Sequence, residues 1–163
     1  MDPNQTNPQK EKKSKRIIIT RKEMDSAFRS HVKTWEEARN VPFEKLKQNH
    51  CRKMILFYTV ECGLKAYFMS KKNLESTEME TDSTTISGLG HNLNKILVQL
   101  KMNFEIPPIT KNTDKPVECL HLHQAWRYGK DLDAGQEIEC LKKLVNILNE
   151  LVNRFNGGSE WKN

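Results

Sequence analysis

The run Met54-Ile-Leu-Phe-Tyr-Thr-Val-Glu-Cys-Gly-Leu-Lys-Ala-Tyr-Phe-Met69 constrains this chain more than any other part of it. Wound as a helix, it is apolar around nearly its whole circumference, and such a helix belongs at the centre of a bundle rather than on its surface. It nevertheless carries Glu61 and Lys65 one turn apart, the acid N-terminal to the base, which is the favourable order for an intrahelical pair. A carboxylate at the centre of a bundle needs a cation. Lys65 can supply it, and so can a base from another segment, Arg127.

The remaining periodicity builds a bundle around this segment. Thr20-Arg-Lys-Glu23 is a capping-box signature. Met24, Ala27, Phe28, His31, Trp35 and Ala38 follow at helical spacing, so a first helix is expected to run to about Arg39. Asn40-Val41-Pro42 breaks it, and Pro42 suits the first turn of a second helix running to Lys72. The polar, acidic stretch from Asn73 to Gly90 reads as a mobile loop. A third helix is expected from His91 or Asn92, with Leu93, Ile96, Leu97 and Leu100 inward, and a short fourth from Val117 to Tyr128. Asp133-Ala-Gly-Gln136 is another capping-box candidate. The clearest 3.6-residue period then follows, in Ile138, Leu141, Leu144, Val145, Leu148, Leu151, Val152 and Phe155, until Gly157-Gly158 closes the last helix. There is no strand signal. The expected fold is all-α, a single five-helix bundle over residues 17–156, with a disordered basic arm at 1–16 and a flexible tail at 157–163.

The net charge of +6 lies mostly in that arm. Residues 1–22 hold seven Lys/Arg against Asp2 and Glu11, whereas the other 141 residues hold 20 bases and 19 acids. Lys10, Lys12, Lys13, Lys15 and Arg16 can attract phosphate backbones by counterion release, or serve only as a solvated tail. No stretch approaches the ~20 apolar residues of a membrane span. The four cysteines, Cys51, Cys62, Cys119 and Cys140, are scattered, so reduced thiols in a cytoplasmic protein are expected. Cys119-x-His121-x-His123 invites a metal, but residues two apart on a helix point about 200° apart. Cys119 with His123 is an incomplete zinc site, so no metal and no other cofactor is expected.

Three places together resemble the HEPN family of prokaryotic helical bundles. Glu61-Cys-Gly-Leu-Lys-Ala-Tyr67 is similar to the E-x-x-L-K-A core of the family's central helix, Gly90-His91-Asn92-Leu93 to its G-H-[DN]-L segment, and Arg127-Tyr128 to the Arg-Tyr near the end of its fourth helix. The resemblance implies a bundle that dimerises through its long helices. It also implies a place in defence, CRISPR-linked or toxin–antitoxin systems, where many members are metal-independent ribonucleases and others bind RNA or act as accessory subunits. Cleaving members typically carry Arg, four to six residues, then His. None of the seven arginines here has a histidine at that spacing.

The expected function is therefore a non-catalytic or weakly catalytic accessory protein, a homodimer engaging RNA or a protein partner. Glu61, Lys65, Asn92 and Tyr128 would shape its cleft beside His91 and Arg127. One alternative is a metal-independent ribonuclease toxin in which His91 is the base near the 2′-hydroxyl and Arg127 the cation near the phosphate. The other is a structural adaptor, with Trp35, Phe43, Leu46 and Ile17-Ile-Ile19 as interface rather than core.

Overall fold

The computed structural model describes residues 17–38, 49–79, 86–110 and 115–157. Among them the chain is all-α. Five helices exceed one turn: α1 (Arg21–Ala38), α2 (His50–Lys71), α4 (Leu93–Gln99), α5 (Leu122–Arg127) and α6 (Ala134–Gly157), with a four-residue turn, α3 (Ile86–Leu89), before α4. No helix among these residues is long and apolar enough to cross a membrane.

The first capping box forms in full. Thr20 N donates to Glu23 Oε2 at 2.8 Å and Glu23 N donates to Thr20 Oγ1 at 3.2 Å, which satisfies donors that the helix start would otherwise orphan. These bonds hold the Glu23 carboxyl below its ordinary range. Met24, Phe28 and Trp35 then turn into the core. Burial of Trp35 removes it from the adaptor interface expected above, whereas Ile17 and Ile18 are exposed; Phe43 and Leu46 lie outside the described residues.

Helix α2 is the axis. It packs against α1, α4, α5 and α6, and Leu56, Phe57, Val60, Leu64, Phe68 and Met69 are wholly buried. Burial on nearly every side is what its apolar circumference requires. Gly63 sets how closely the neighbours approach: a Cβ there would lie 2.6 Å from Phe28 Cε2 and 3.0 Å from Leu151 Cδ1. The described helix begins at His50, and the start expected at Pro42 lies outside the described residues. Its N-cap is Asn49, whose side chain accepts from Arg52 N at 3.2 Å, and that cap competes with any continuation through position 49.

Beyond α2 the chain reverses at Asn73, in the left-handed region (φ 54°), with Leu74 N donating to Met69 O. The expected loop is anchored at its described ends. Thr20 and Ser76 form an isolated antiparallel bridge, Leu74 is buried, and Ile86 and Leu89 of α3 are buried as well. The fourth helix is shorter than expected: Val117 pairs with Ile109 in a second isolated bridge, a 3-10 turn covers Cys119–His121, and only then does α5 begin. Asn94 splices this connection to α4, donating from Nδ2 to Ile106 O at 2.8 Å while Oδ1 accepts from Ile106 N at 2.9 Å. In the second expected box, Asp133 Oδ1 accepts from Gln136 N at 2.9 Å, but the Gln136 carboxamide turns away and accepts from Thr110 N.

One polar contact locks the bundle. Lys53 of α2 and Glu137 of α6, both buried, meet at 2.7 Å, and Trp126 Nε1 of α5 donates to the same carboxylate oxygen at 2.7 Å. The pair joins three elements and leaves neither charge unsatisfied.

Candidate functional site

The face of α2 two turns beyond Lys53 carries a second polar cluster. Glu61 is 5% exposed, so its charge needs partners. Lys65 donates to Oε1 from the next turn. His91, on the turn that precedes α4, meets Oε2 through Nδ1 at 3.1 Å. An ionised carboxylate only accepts, so Nδ1 carries the hydrogen and Nε2 is the nitrogen left for anything outside. The His91 side chain remains 48% exposed.

Arg127 does not pair with Glu61. Its Nη2 donates to the Tyr58 hydroxyl at 2.8 Å, because the C-terminal end of α5 lies over the first half of α2 rather than over position 61. Tyr58 links the two sides of the site: its ring is 6.4 Å from that of His91, edge to face. The site therefore holds an exposed imidazole seated on a buried carboxylate and an exposed guanidinium seated on a half-buried phenol.

His123 completes the cluster, and the sequence reading gave it no part. It is 4% exposed, and its ring lies against that of His91 with centroids 4.2 Å apart and planes tilted by 41°, flanked by Phe57 at 5.5 Å and Tyr58 at 6.2 Å. Its Nδ1 is enclosed with no hydrogen-bond partner among the described residues. Burial, then the neighbouring His91, hold this imidazole below the usual histidine range; Glu61 opposes the shift while Arg127 and His121 add to it. A signal for His123 did exist in sequence, since it stands one turn before Arg127 on the same helix, but its inward direction required the packing of α5.

The other expected residues are placed as follows. Asn92 caps α4, its side chain accepting from Lys95 N at 3.1 Å, so that side chain serves the helix end. Tyr128 follows Arg127 at the end of α5 and is 80% exposed, outside the buried network. Lys10, Lys12, Lys13, Lys15 and Arg16 lie outside the described residues. His121 is exposed while His123 and Cys119 are buried, and among the described residues no three His, Cys, Asp or Glu side chains converge on a position suited to a metal ion. Burial raises the thiols of Cys119 and Cys62 to about 11 and that of Cys140 to about 12, so none of them is a thiolate nucleophile at neutral pH.

The cluster can offer an outside ligand an imidazole Nε2 and a guanidinium, each held by a hydrogen bond to α2. Comparison of the chain with protein-family models, with curated proteins and with solved structures finds no match in any of the three.

Proposed function

We propose that this chain is an HEPN-like accessory protein of a prokaryotic defence, CRISPR-linked or toxin–antitoxin system, cytoplasmic and homodimeric, that engages RNA at the face bearing His91 and Arg127. The supporting observation is that both groups are exposed yet each is anchored by a hydrogen bond to α2. A preorganised guanidinium suits a phosphodiester, since the oxygens only accept and an oriented donor loses little entropy on binding, and the imidazole joins it as a donor once Nε2 also carries a hydrogen. The basic arm adds affinity without sequence preference.

Fluorescence anisotropy with a labelled single-stranded RNA tests this reading. Arg127→Ala weakens binding and lowers the slope of log affinity against log salt by about one if Arg127 meets a phosphate. Deleting residues 1–16 lowers that slope further. Affinity unaltered by Arg127→Ala and His91→Ala together removes the site from the proposal, and sedimentation as a monomer removes the dimer.

The contact between Glu61 and His91 favours one second reading, a metal-independent ribonuclease. An imidazole whose Nδ1–H is held by a carboxylate is arranged for proton transfer at Nε2, and Arg127 supplies charge for a developing phosphorane. Incubation with a mixed RNA pool in EDTA separates the two. Cleavage lost in His91→Ala and retained in His121→Ala establishes the enzyme, whereas an intact pool retires it.

A further inference from the structure

We infer that ligand binding at this site takes up one proton, and that His91 is the group receiving it. The inference rests on the reading of the cluster as a phosphodiester site and adds how that site is regulated. Its basis is the hydrogen-bond inventory of one ring. Glu61 occupies Nδ1, so a phosphodiester approaching from outside can meet only Nε2. Phosphodiester oxygens have no hydrogen to give. A neutral His91 with its hydrogen on Nδ1 presents them a lone pair, which repels. Only the imidazolium, with hydrogen on both nitrogens, holds Glu61 and the ligand at once. The step balances simply: protein, ligand anion and one solvent proton on one side, the complex with protonated His91 on the other.

The surrounding charges fix the count at one. From α2 come Glu61 and Lys65, which neutralise one another, together with the Tyr58 phenol. From the 3-10 turn comes His121, and from α5 come His123 and Arg127. Among the described residues His123 is the only other imidazole in contact with His91, and it is buried with the ring centroids 4.2 Å apart. A second positive charge there would stand against the first in a place where water cannot screen either. The downward shift of the His123 imidazole agrees with this. His123 therefore stays neutral, a flat partner that keeps the His91 ring in register with Glu61.

The test uses the full chain and a fluorescein-labelled 2′-O-methyl oligouridine. Its phosphodiesters keep one negative charge each from mildly acidic to mildly alkaline pH, and it has no 2′-hydroxyl to support cleavage. On the alkaline side of the coupled titration, affinity falls by about tenfold per pH unit, the limit for one linked proton. Calorimetry in two buffers of different ionisation heat counts about half a proton taken up per ligand where free His91 is half-protonated, rising towards one at higher pH. Lysines and arginines, in the arm or elsewhere, hold their charge through this range and contribute no slope. His91→Gln flattens the profile, while His121→Ala keeps it. His123→Phe, which preserves a flat ring against His91, also keeps it. Binding independent of pH leaves the phosphodiester site standing and overturns the coupling. So does an uptake near two protons, or a slope that survives His91→Gln and vanishes in His123→Phe. An oligonucleotide that binds at no pH removes the site and the coupling together. The proton count on the unaltered chain tests the coupling itself even if a variant misfolds.

Discussion

Substituting Lys53 by methionine tests whether the contact with Glu137 and Trp126 holds the bundle together. The two charged side chains are 2% and 5% exposed and meet at 2.7 Å, so neither has water to fall back on. Methionine keeps most of the lysine stem's volume, and the change is therefore mainly the loss of the ammonium. The carboxylate left behind keeps the indole N–H at 2.7 Å. Stranding one member of a buried pair destabilises by about 3–5 kcal/mol, and the remaining charge-assisted bond places the expected value near the lower end, about 3 kcal/mol. Glu137→Gln removes the ammonium's countercharge instead, while leaving a carbonyl oxygen in the same place, and is expected to cost about 2–3 kcal/mol. The double variant removes both charges while the glutamine carbonyl can still accept from Trp126, so its loss is about 1–2 kcal/mol rather than the sum of the singles. Urea denaturation followed by far-ultraviolet circular dichroism measures all three. At a slope of about 1–3 kcal/mol per molar, the single variants lower the midpoint by roughly 1–3 M. Single variants that each lose less than about 1 kcal/mol, or a double variant that loses their sum, would falsify the claim that this ion pair is dry and coupled.

Three further outcomes follow from the packing and the titrations. Gly63→Ala lowers the urea midpoint, because the new methyl must displace Phe28 from 2.6 Å and the resulting strain of about 1–3 kcal/mol exceeds the roughly 1 kcal/mol gained in helix propensity; an unchanged or raised midpoint contradicts the close approach of α1. His123 has a folded-state pKa below its ordinary 6.5, so the unfolded chain binds the proton more readily. Its contribution is present in full above that ordinary value and is lost as pH falls from there through the folded pKa; His123→Phe makes the urea midpoint less sensitive to mild acid, and an identical pH dependence in both proteins would refute the assignment. Glu23 does not confuse that window, since its carboxyl is also lowered but from 4.5. Iodoacetamide mapped by mass spectrometry modifies exposed Cys51 first, while Cys119 and Cys140, buried with thiols raised to about 11 and about 12, react only on unfolding; early labelling of Cys140 would show that α6 opens.

What could be read in the sequence was the part governed by near neighbours. The Thr20–Glu23 box and the Glu61–Lys65 pair each depend on residues three or four apart, and both form. The apolar circumference of α2 likewise implied its place at the centre without any knowledge of its neighbours. Contacts across the bundle were not legible. Lys53 and Glu137 are 84 positions apart, and nothing in either local pattern marks a buried charge. The stripe on α6 showed its direction but not its centre: Cys140 and Ile147 are buried, while Ile138, Val145 and Val152 are only partly so. Charge complementarity alone leaves Lys65 and Arg127 as alternative partners of Glu61, because the rotation of α5 is not legible; Lys65 takes the part, and a phenol 69 positions away receives Arg127. His123 was dismissed as a metal ligand and thereby missed as the neighbour of His91. Asn49 shows the opposite failure, a local cap overlooked because the surrounding apolar period seemed to continue through it.

The six residues of α5 could not persist as a helix in isolation. Two consecutive side chains fasten it from opposite sides, Trp126 reaching inward to Glu137 and Arg127 reaching outward to Tyr58. The element therefore works as a peg between the locked interior and the exposed face. A lesion at either fastening should loosen the other, so damage near Glu137 would reach the guanidinium without any change to the residues a ligand touches.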